Sequence, residues 1–506
     1  MAEGQETELK LAASPAMLAQ LREHPLLAGK DTALTLVTRY FDTPDAILHR
    51  HGATLRLRDD GTKSEQTFKS TAGSDSSLRR GEWNAPATGE APDPQTLPAA
   101  ARKLLEPLLV DARLRPLATT RIERITRRLK FGTSTIEAAF DSGTVEAGRR
   151  SEPVCELELE LVDGEAADLF ALARQLPLGP ELAWSTESKG ERGHALALKL
   201  PFTAARAGEV ALTPAMTVAE GFQVIAWNCL AQFLGNYREV LASGDPDAVH
   251  QSRVAIRRLR AAFSLFGDHV TDERSAAFRA EWKAAGDALS PARDIHVLVE
   301  RIESAAQDAK DDTLDLLKHL RAQRKKATRE AQTALSDPAL QQLLIGFAEW
   351  LEHDLPSASE PLSEFAARTL ARRRRKLVKQ PALDKLSDET LHELRIQGKK
   401  LRYAAEFFDA LYPDKKSAKE RRAFAKALGK LQDCLGSVHD IAVAHDQREH
   451  LFAGKEPIAA AGLSAQLAEL LDKHGPGRKR LIKSASKALD RVAEAPAWWK
   501  FPIIEQ

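Results

Sequence analysis

The sequence predicts an α+β protein of two domains. The first is an antiparallel β-barrel with a central tunnel and peripheral helices. The second is an all-α helical bundle with an internal duplication. Three observations carry this reading. The first 200 residues contain period-two segments with like charges on one face and leucines on the other. Strand signals then fade after Leu200. Within the helical part, a pattern of histidine and cationic residues occurs twice.

Glu6-Thr7-Glu8-Leu9-Lys10-Leu11 read as a strand puts Glu6, Glu8 and Lys10 on one face and Thr7, Leu9 and Leu11 on the other. In Thr54-Leu55-Arg56-Leu57-Arg58 both arginines share a face. In Cys155–Leu161 the face carries Glu156, Glu158 and Glu160. A one-sided sheet facing water would account for any one of these. As a set they place like charges side by side, which repel unless something of opposite sign lies between them. A closed sheet with the charged faces turned into a lumen meets that need. A divalent metal suits the glutamates and phosphate suits the arginines.

The remaining elements of this region follow in order. Pro15 to Leu27 suggests a short helix, and Leu34 to Phe41 a strand. Asp59-Asp60-Gly61 signals a hairpin into a strand where Glu65, Thr67 and Lys69 share a face. Residues 85–98 read as a loop and 99–109 as a helix. Arg121, Arg124 and Arg127 mark a further strand. Ile136 to Asp141 is a strand, followed by a turn at Ser142-Gly143. Asp168 to Leu176 reads as a helix, and Trp184 to Lys189 closes the module. The expected domains are 1–200, a linker over 201–214, and 215–500 in two repeats of about 215–355 and 356–500. Helices are expected at 217–242, 246–267, 272–288, 291–306, 311–335, 338–352, 359–379, 388–411, 418–434, 457–472 and 478–493.

In the helical part, Val249-His250-Gln251-Ser252-Arg253-x-x-x-Arg257-Arg258-Leu259-Arg260 lies over Leu391-His392-Glu393-Leu394-Arg395-x-x-x-Lys399-Lys400-Leu401-Arg402. At 100° per residue, His250, Arg253, Arg257 and Arg260 form one stripe. Ile256, Leu259, Phe263 and Phe266 lie opposite. His392, Arg395, Lys399 and Arg402 repeat the stripe against Leu394, Leu401, Ala405 and Phe408. A solvated face is the ordinary reading of a charge run. These stripes, however, contain no acidic residue to relieve them, which points to an anion-binding surface. A second echo pairs Leu289–Ile295 with Leu435–Ile441. The run Arg372–Lys376 points all round a helix and is equally well explained as a solvated helix end.

Composition excludes several classes. The 506-residue chain is 43% hydrophobic and 29% charged with net charge +1, so cationic function must come from local patches. Its three cysteines, Cys155, Cys229 and Cys434, are too scattered for a disulfide framework or zinc site. No apolar run reaches a membrane-spanning length, and no signal peptide is visible. The expectation is a cytoplasmic protein without membrane contact. Nucleic acid ranks low because no aromatic platform accompanies the basic runs.

The ordered set Glu6-x-Glu8-x-Lys10, Tyr40-Phe41-Asp42-Thr43-Pro44-Asp45, Leu55-Arg56-Leu57-Arg58, Thr67-Phe68-Lys69, Arg80-x-Glu82, Glu156–Glu160 and Ser188-Lys189 resembles the CYTH family, the triphosphate tunnel metalloenzymes. Among these the chain looks most like the bacterial inorganic triphosphatases with a second, helical domain. The resemblance implies a hydrolase acting on phosphoanhydride bonds. Inorganic triphosphate would be cleaved to pyrophosphate and phosphate with Mg²⁺ or Mn²⁺. It implies Glu6, Glu8 and Lys10 as catalytic residues. Lys10, Arg56, Arg58, Lys69, Arg124 and Lys189 would bind phosphate. Glu6, Glu8, Glu158 and Glu160 would hold metal, and Asp141 matches an acidic position near it.

The helical repeat resembles the CHAD domain, which implies inorganic polyphosphate as a partner. The stripes His250, Arg253, Arg257, Arg260 and His392, Arg395, Lys399, Arg402 would bind it, with polyphosphate granules as an expected location. His296 stands where that family more often has Asp. Two alternatives stay open. One is a polyphosphate-binding or targeting protein with weak or no catalysis. The other is a CYTH enzyme acting on a nucleotide or on thiamine triphosphate. Oligomeric state, preferred metal and domain placement are not readable from the sequence.

Overall fold

The computed structural model describes residues 5–70, 79–110, 113–306, 314–446, 451–452, 461–467 and 477–500. The chain forms two compact units. One comprises Met1–Ala207, Leu230–Ala242 and Ser336–Leu355. The other comprises Gly208–Cys229, Ser243–Leu335 and Pro356–Gln506.

The first unit is built on a nine-stranded antiparallel sheet: β1 (Gln5–Ala13), β2 (Thr32–Asp42), β3 (Ala53–Asp59), β4 (Ser64–Ser70), β5 (Arg79–Pro86), β6 (Arg115–Phe131), β7 (Ser134–Ala147), β8 (Arg150–Asp163) and β9 (Leu182–Trp184). Its order is β5-β4-β3-β2-β6-β7-β8-β1-β9. Because β1 also pairs with β5, eight strands close into a ring, and β9 pairs with the second half of β1. Closure removes the exposed sheet edges. The alternation seen in sequence sorts the faces. Leu9, Leu11, Leu55, Leu57, Leu157 and Leu159 are buried on the outside of the ring, while the charged residues between them turn inward.

Helices cover the apolar outside. Leu97, Ala101 and Leu105, on and before α3 (Ala99–Leu105), pack with Leu55, Phe68 and Ala85. Helices α1 (Pro15–Arg22) and α4 (Ala166–Arg174) lie on β8. Short α2 (Ile47–Arg50) follows β2, whereas α5 (Lys189–Leu198) packs on the inward faces of β6, β7 and β8, with Lys189 and Gly190 lining the lumen. Inside the ring, Leu36, Ile122, Val145 and Val154 form an apolar cluster with Leu34 and Leu196.

The expected turn at Ser142-Gly143 is instead the middle of β7. A side chain at Gly143 would sit 1.9 Å from the Arg121 carbonyl, so glycine serves close strand approach here rather than reversal. The chain reverses at Gly148, in the left-handed region with φ +61°.

The second unit is helical. Its described elements include the first half of α6 (Val218–Ala242), α7 (Pro246–Phe266), α8 (Glu273–Ala306), α9 (Leu314–Leu335), α11 (Leu362–Val378), α12 (Asp388–Phe407), α13 (Lys415–Asp446) and a last helix Arg478–Glu494. Between α9 and α11 runs α10 (Pro338–Glu349), which belongs to the first unit. Two helices expected at 272–288 and 291–306 are one, α8, running through Pro291. Interior proline costs roughly 3 kcal/mol. Burial of Leu289, Ala292, Ile295, Val299 and Ile302 along one continuous face offsets it. Both apolar stripes are buried as the periodicity requires, including Ile256, Leu259, Phe263 and Phe266 of α7 and Leu394, Leu401 and Phe408 of the second copy. Among the described residues, no helix is long and apolar enough to cross a membrane.

Candidate active site

The interior of the barrel encloses a cavity of about 330 Å³. Glu8, Lys10, Arg56, Arg58, Lys69, Arg124, Glu158, Glu160 and Lys189 all line it; strand parity brings the first eight together, and the first turn of α5 adds Lys189. Glu6 lies opposite Arg80 in the β1–β5 ladder; its side chain is outside the described residues. Tyr40, Glu82 and Glu137 also line the cavity and were not among the expected site residues. Their signals were available. Glu82 belongs to the Arg80-x-Glu82 motif, and Glu137 shares strand parity with Asp141.

The charges sort into three groups. The first is a compensated knot. Arg124 grips the fully buried Asp141 through Nε to Oδ1 at 2.7 Å and Nη2 to Oδ2 at 2.6 Å, and also bonds Glu158. Lys189 Nζ lies 2.7 Å from Asp141 and 2.9 Å from Glu158, and also contacts Glu156. Lys10 adds contacts to Glu8 at 3.5 Å and Glu158 at 3.8 Å. Burial disfavours the Lys10 ammonium, but Glu8, Glu156 and Glu158 outweigh it and raise its pKa. Lys189 is likewise raised, against burial, by Glu158, Glu156 and Asp141. Glu158 is held well below the usual carboxylate range: burial opposes this, and Lys189, Arg124 and Lys10 overcome it. Asp141, Glu156 and Glu158 bring one oxygen each within 4.8 Å of one another, a metal-like arrangement. Here the ammonium and guanidinium groups occupy their lone pairs.

The second group is an acidic row. Glu8 pairs with Glu160, and Glu160 with Glu137, across three neighbouring strands. Burial, then Glu8, Glu137 and Glu82, push the Glu160 pKa up. Such a row fits a hard divalent cation with oxygen ligands.

The third group is a basic pair. Arg58 is pulled down to about 10 by Arg56 beside it and by burial. Its buried Nε has no hydrogen-bond partner among the described residues. Nearby, Glu82 takes Lys69 at 2.6 Å and Arg56 at 3.7 Å. Metal-seeking and anion-seeking groups therefore line one lumen side by side.

In the helical unit the cationic stripes are half-buried. The first is not free of acid as its own helix suggests: Asp294 of α8 reaches Arg253 at 3.0 Å. Arg257 Nε and His250 Nδ1 are buried and have no hydrogen-bond partner among the described residues. His250 is held down to about 4 by burial and by Arg293, Arg257 and Arg253. His296, also near Arg293 and Arg324, is held down to about 4 by burial and these cations. Its Nε2 lies 3.1 Å from the Thr328 hydroxyl. In the second copy, His392, Arg395, Lys399 and Arg402 lie along α12, and Arg402 Nε is buried without a partner among the described residues. Arg260 is the most exposed member of either stripe. The Arg372–Lys376 run is partly used in packing: Arg373 donates to the Ser264 carbonyl at 3.1 Å, and Arg374 lies over Trp499.

The chain is 34% identical over 203 residues to the inorganic triphosphatase of Haemophilus influenzae. That match takes in 38% of this chain and 56% of the relative, just over half its length. An uncharacterized protein of Mycobacterium tuberculosis is 26% identical over 493 residues, 90% of both chains. The crystal structure of the CHAD domain from the plant Ricinus communis shares 26% identity and a TM-score of 0.49, over 57% of this chain and 96% of that one. Family comparison matches both segments: the chain carries a CYTH domain over residues 4–194, followed by a CHAD domain over residues 224–449.

Proposed function

We propose that the barrel is an inorganic triphosphatase and that the helical domain binds inorganic polyphosphate. The observation that carries the first part is the pairing, in one cavity, of the unpartnered Arg58 beside Arg56 with the Glu8–Glu160–Glu137 row. A short linear polyanion needs cationic donors along its length and a counter-ion on its phosphoryl oxygens.

In this reading Arg56 and Arg58 take phosphate oxygens with their fork of donors, and Lys69 adds a point charge. Lys10, Arg124 and Lys189 stand ready at the carboxylate knot to turn toward substrate. Glu6, Glu8 and Glu160 would hold Mg²⁺ or Mn²⁺, with Glu137 completing the row and Glu158 joining once Lys10, Arg124 and Lys189 turn toward substrate. The bound metal supplies neutralisation of the charge that develops on the phosphoryl group. Water adds to the terminal phosphorus as the bridging P–O bond breaks, giving orthophosphate and pyrophosphate. The likeness to the Haemophilus protein supports inorganic triphosphate over a nucleotide. The test is phosphate release from triphosphate, ATP and thiamine triphosphate in Mg²⁺, Mn²⁺ or EDTA. Fast, metal-dependent release from triphosphate alone supports the reading. Release from none would leave the barrel an anion receptor.

The helical reading rests on Arg257 and Arg293. Neither has a carboxylate within ion-pair distance among the described residues, and both lie close to His250. Binding of long-chain polyphosphate that weakens steeply with salt is expected, because bound counterions are released. Binding indifferent to salt would sink it.

A further inference from the structure

We infer that Asp42 and His194 form a latch that positions Lys189 in the tunnel, making His194 a positioning residue for the hydrolytic centre. The inference rests on the triphosphatase reading and adds to it residues outside the cavity wall.

The latch begins at the end of β2. The fully buried carboxylate of Asp42 accepts from the Thr43 amide at 2.6 Å, the Leu48 amide at 2.9 Å and the His49 amide at 2.9 Å. These three bonds hold the turn leading into α2. Its fourth partner comes from far along the chain: His194 Nε2 lies 3.1 Å from Oδ2. The other ring nitrogen, Nδ1, lies 2.8 Å from the Gly190 carbonyl in the first turn of α5. A carbonyl and an ionised carboxylate both require donors, so the ring is an imidazolium. The ring of His49 stacks on it at 5.0 Å. Glu191 also favours the charged ring, and His49 is in turn held down, after burial, by His194.

Lys189 is the first residue of this same helix. Ser188 caps the helix, and Glu191 completes a reciprocal capping box. The helix seats tightly: a side chain at Gly190 would lie 2.9 Å from the Tyr40 ring, and one at Gly193 would lie 2.7 Å from Ala118. The Gly190 carbonyl bonded by His194 is therefore next to the residue whose ammonium enters the carboxylate knot. The Asp42 bond anchors α5 to the end of β2, and the Gly190 bond, made within the helix, steadies the turn from which Lys189 projects.

The test is a kinetic double-mutant cycle in the full-length chain, with melting temperatures measured throughout. H194N keeps a donor near Gly190 but cannot reach Asp42. It should lower kcat for triphosphate about tenfold with KM little changed, on the order of 1.4 kcal/mol in the barrier. H194Q retains a donor for Asp42 and should keep at least half the turnover. K189M with H194N should be no slower than K189M alone, since both remove one placement. Additive losses, or a lower melting temperature with unchanged kinetics in H194N, would overturn the inference. So would an H194Q enzyme as slow as H194N.

Nitrogen-15 spectra of the lysine ammonium groups give an independent reading. The Lys189 signal should move in H194N and in D42N, and an unmoved signal in both would overturn the latch. If the unaltered enzyme does not cleave triphosphate, the functional reading fails, and these spectra still decide whether the latch exists.

Discussion

Glu160 stands directly opposite Glu137 in the β7–β8 ladder, with Glu8 on its other side in β1. Three like charges on adjacent strands oppose folding, at about 0.2–1 kcal/mol per pair. Exposed Arg128, 3.4 Å from Glu137, offsets part of this. Glu137→Gln should therefore raise the melting temperature of metal-free protein slightly. It should also shrink the stabilisation given by added Mg²⁺ or Mn²⁺ and slow triphosphate turnover about tenfold. Differential scanning with and without EDTA checks the first two effects. A metal-induced shift that survives intact would place the cation elsewhere.

Arg58 makes the complementary case. It is crowded by Arg56 and buried, so its charge costs stability that only an anion returns. Arg58→Met should leave the melting temperature equal or higher while cutting kcat/KM for triphosphate by roughly 100-fold or more, the scale of lost electrostatic stabilisation in a dry site. Triphosphate should raise the melting temperature of the unaltered chain and fail to raise that of the variant. Near-normal turnover in Arg58→Met would end the assignment.

Much of the barrel was legible because a period of two is hard to mistake when charges and leucines alternate. Glu8, Lys10, Arg56, Arg58, Glu158 and Glu160 met in one cavity as their parity required. Pairing partners are set by the ladder, which is why the knot of Lys189 and Arg124 around Asp141 could not be read from any one strand. The same limit hid Asp294 from the α7 stripe, since the carboxylate comes from the next helix. Pro291 misled because its local cost is visible in sequence and the continuous buried face that outweighs it is less so.

Adjacent arginines in α7 show how far residue type alone can mislead. Arg258 is 1% exposed, pairs with Glu406 at 2.7 Å, takes Asn228 at 2.9 Å and lies over Phe407. Arg257 is half-buried with an unpartnered Nε. Glu406→Ala should destabilise the protein by about 1–3 kcal/mol, because it strands a buried guanidinium, moderated by the remaining partners. Polyphosphate affinity should change little once the protein is folded. Arg257→Ala should do the reverse, weakening polyphosphate binding severalfold or more at unchanged stability. Chemical denaturation and binding titrations on both variants separate the two roles.

Histidines 250 and 296 give the helical domain a pH dependence whose sign is fixed by their surroundings. Both are held down to about 4, from an ordinary value near 6.5, by burial and neighbouring arginines. Between about pH 6.5 and 4 the unfolded chain therefore binds more protons than the folded one at these sites. Stability rises with pH across that window, and their contribution is lost as pH falls toward 4. A bound polyanion offsets the arginines and favours the imidazolium. Polyphosphate binding should then take up protons near pH 6, and affinity should strengthen as pH falls from 7.5 to 6. Titration calorimetry in two buffers of different ionisation heat measures the uptake. H250Q combined with H296Q should abolish most of it while Arg257 still supports binding. Binding without net proton uptake in the unaltered chain would mean that the polyanion does not reach these rings.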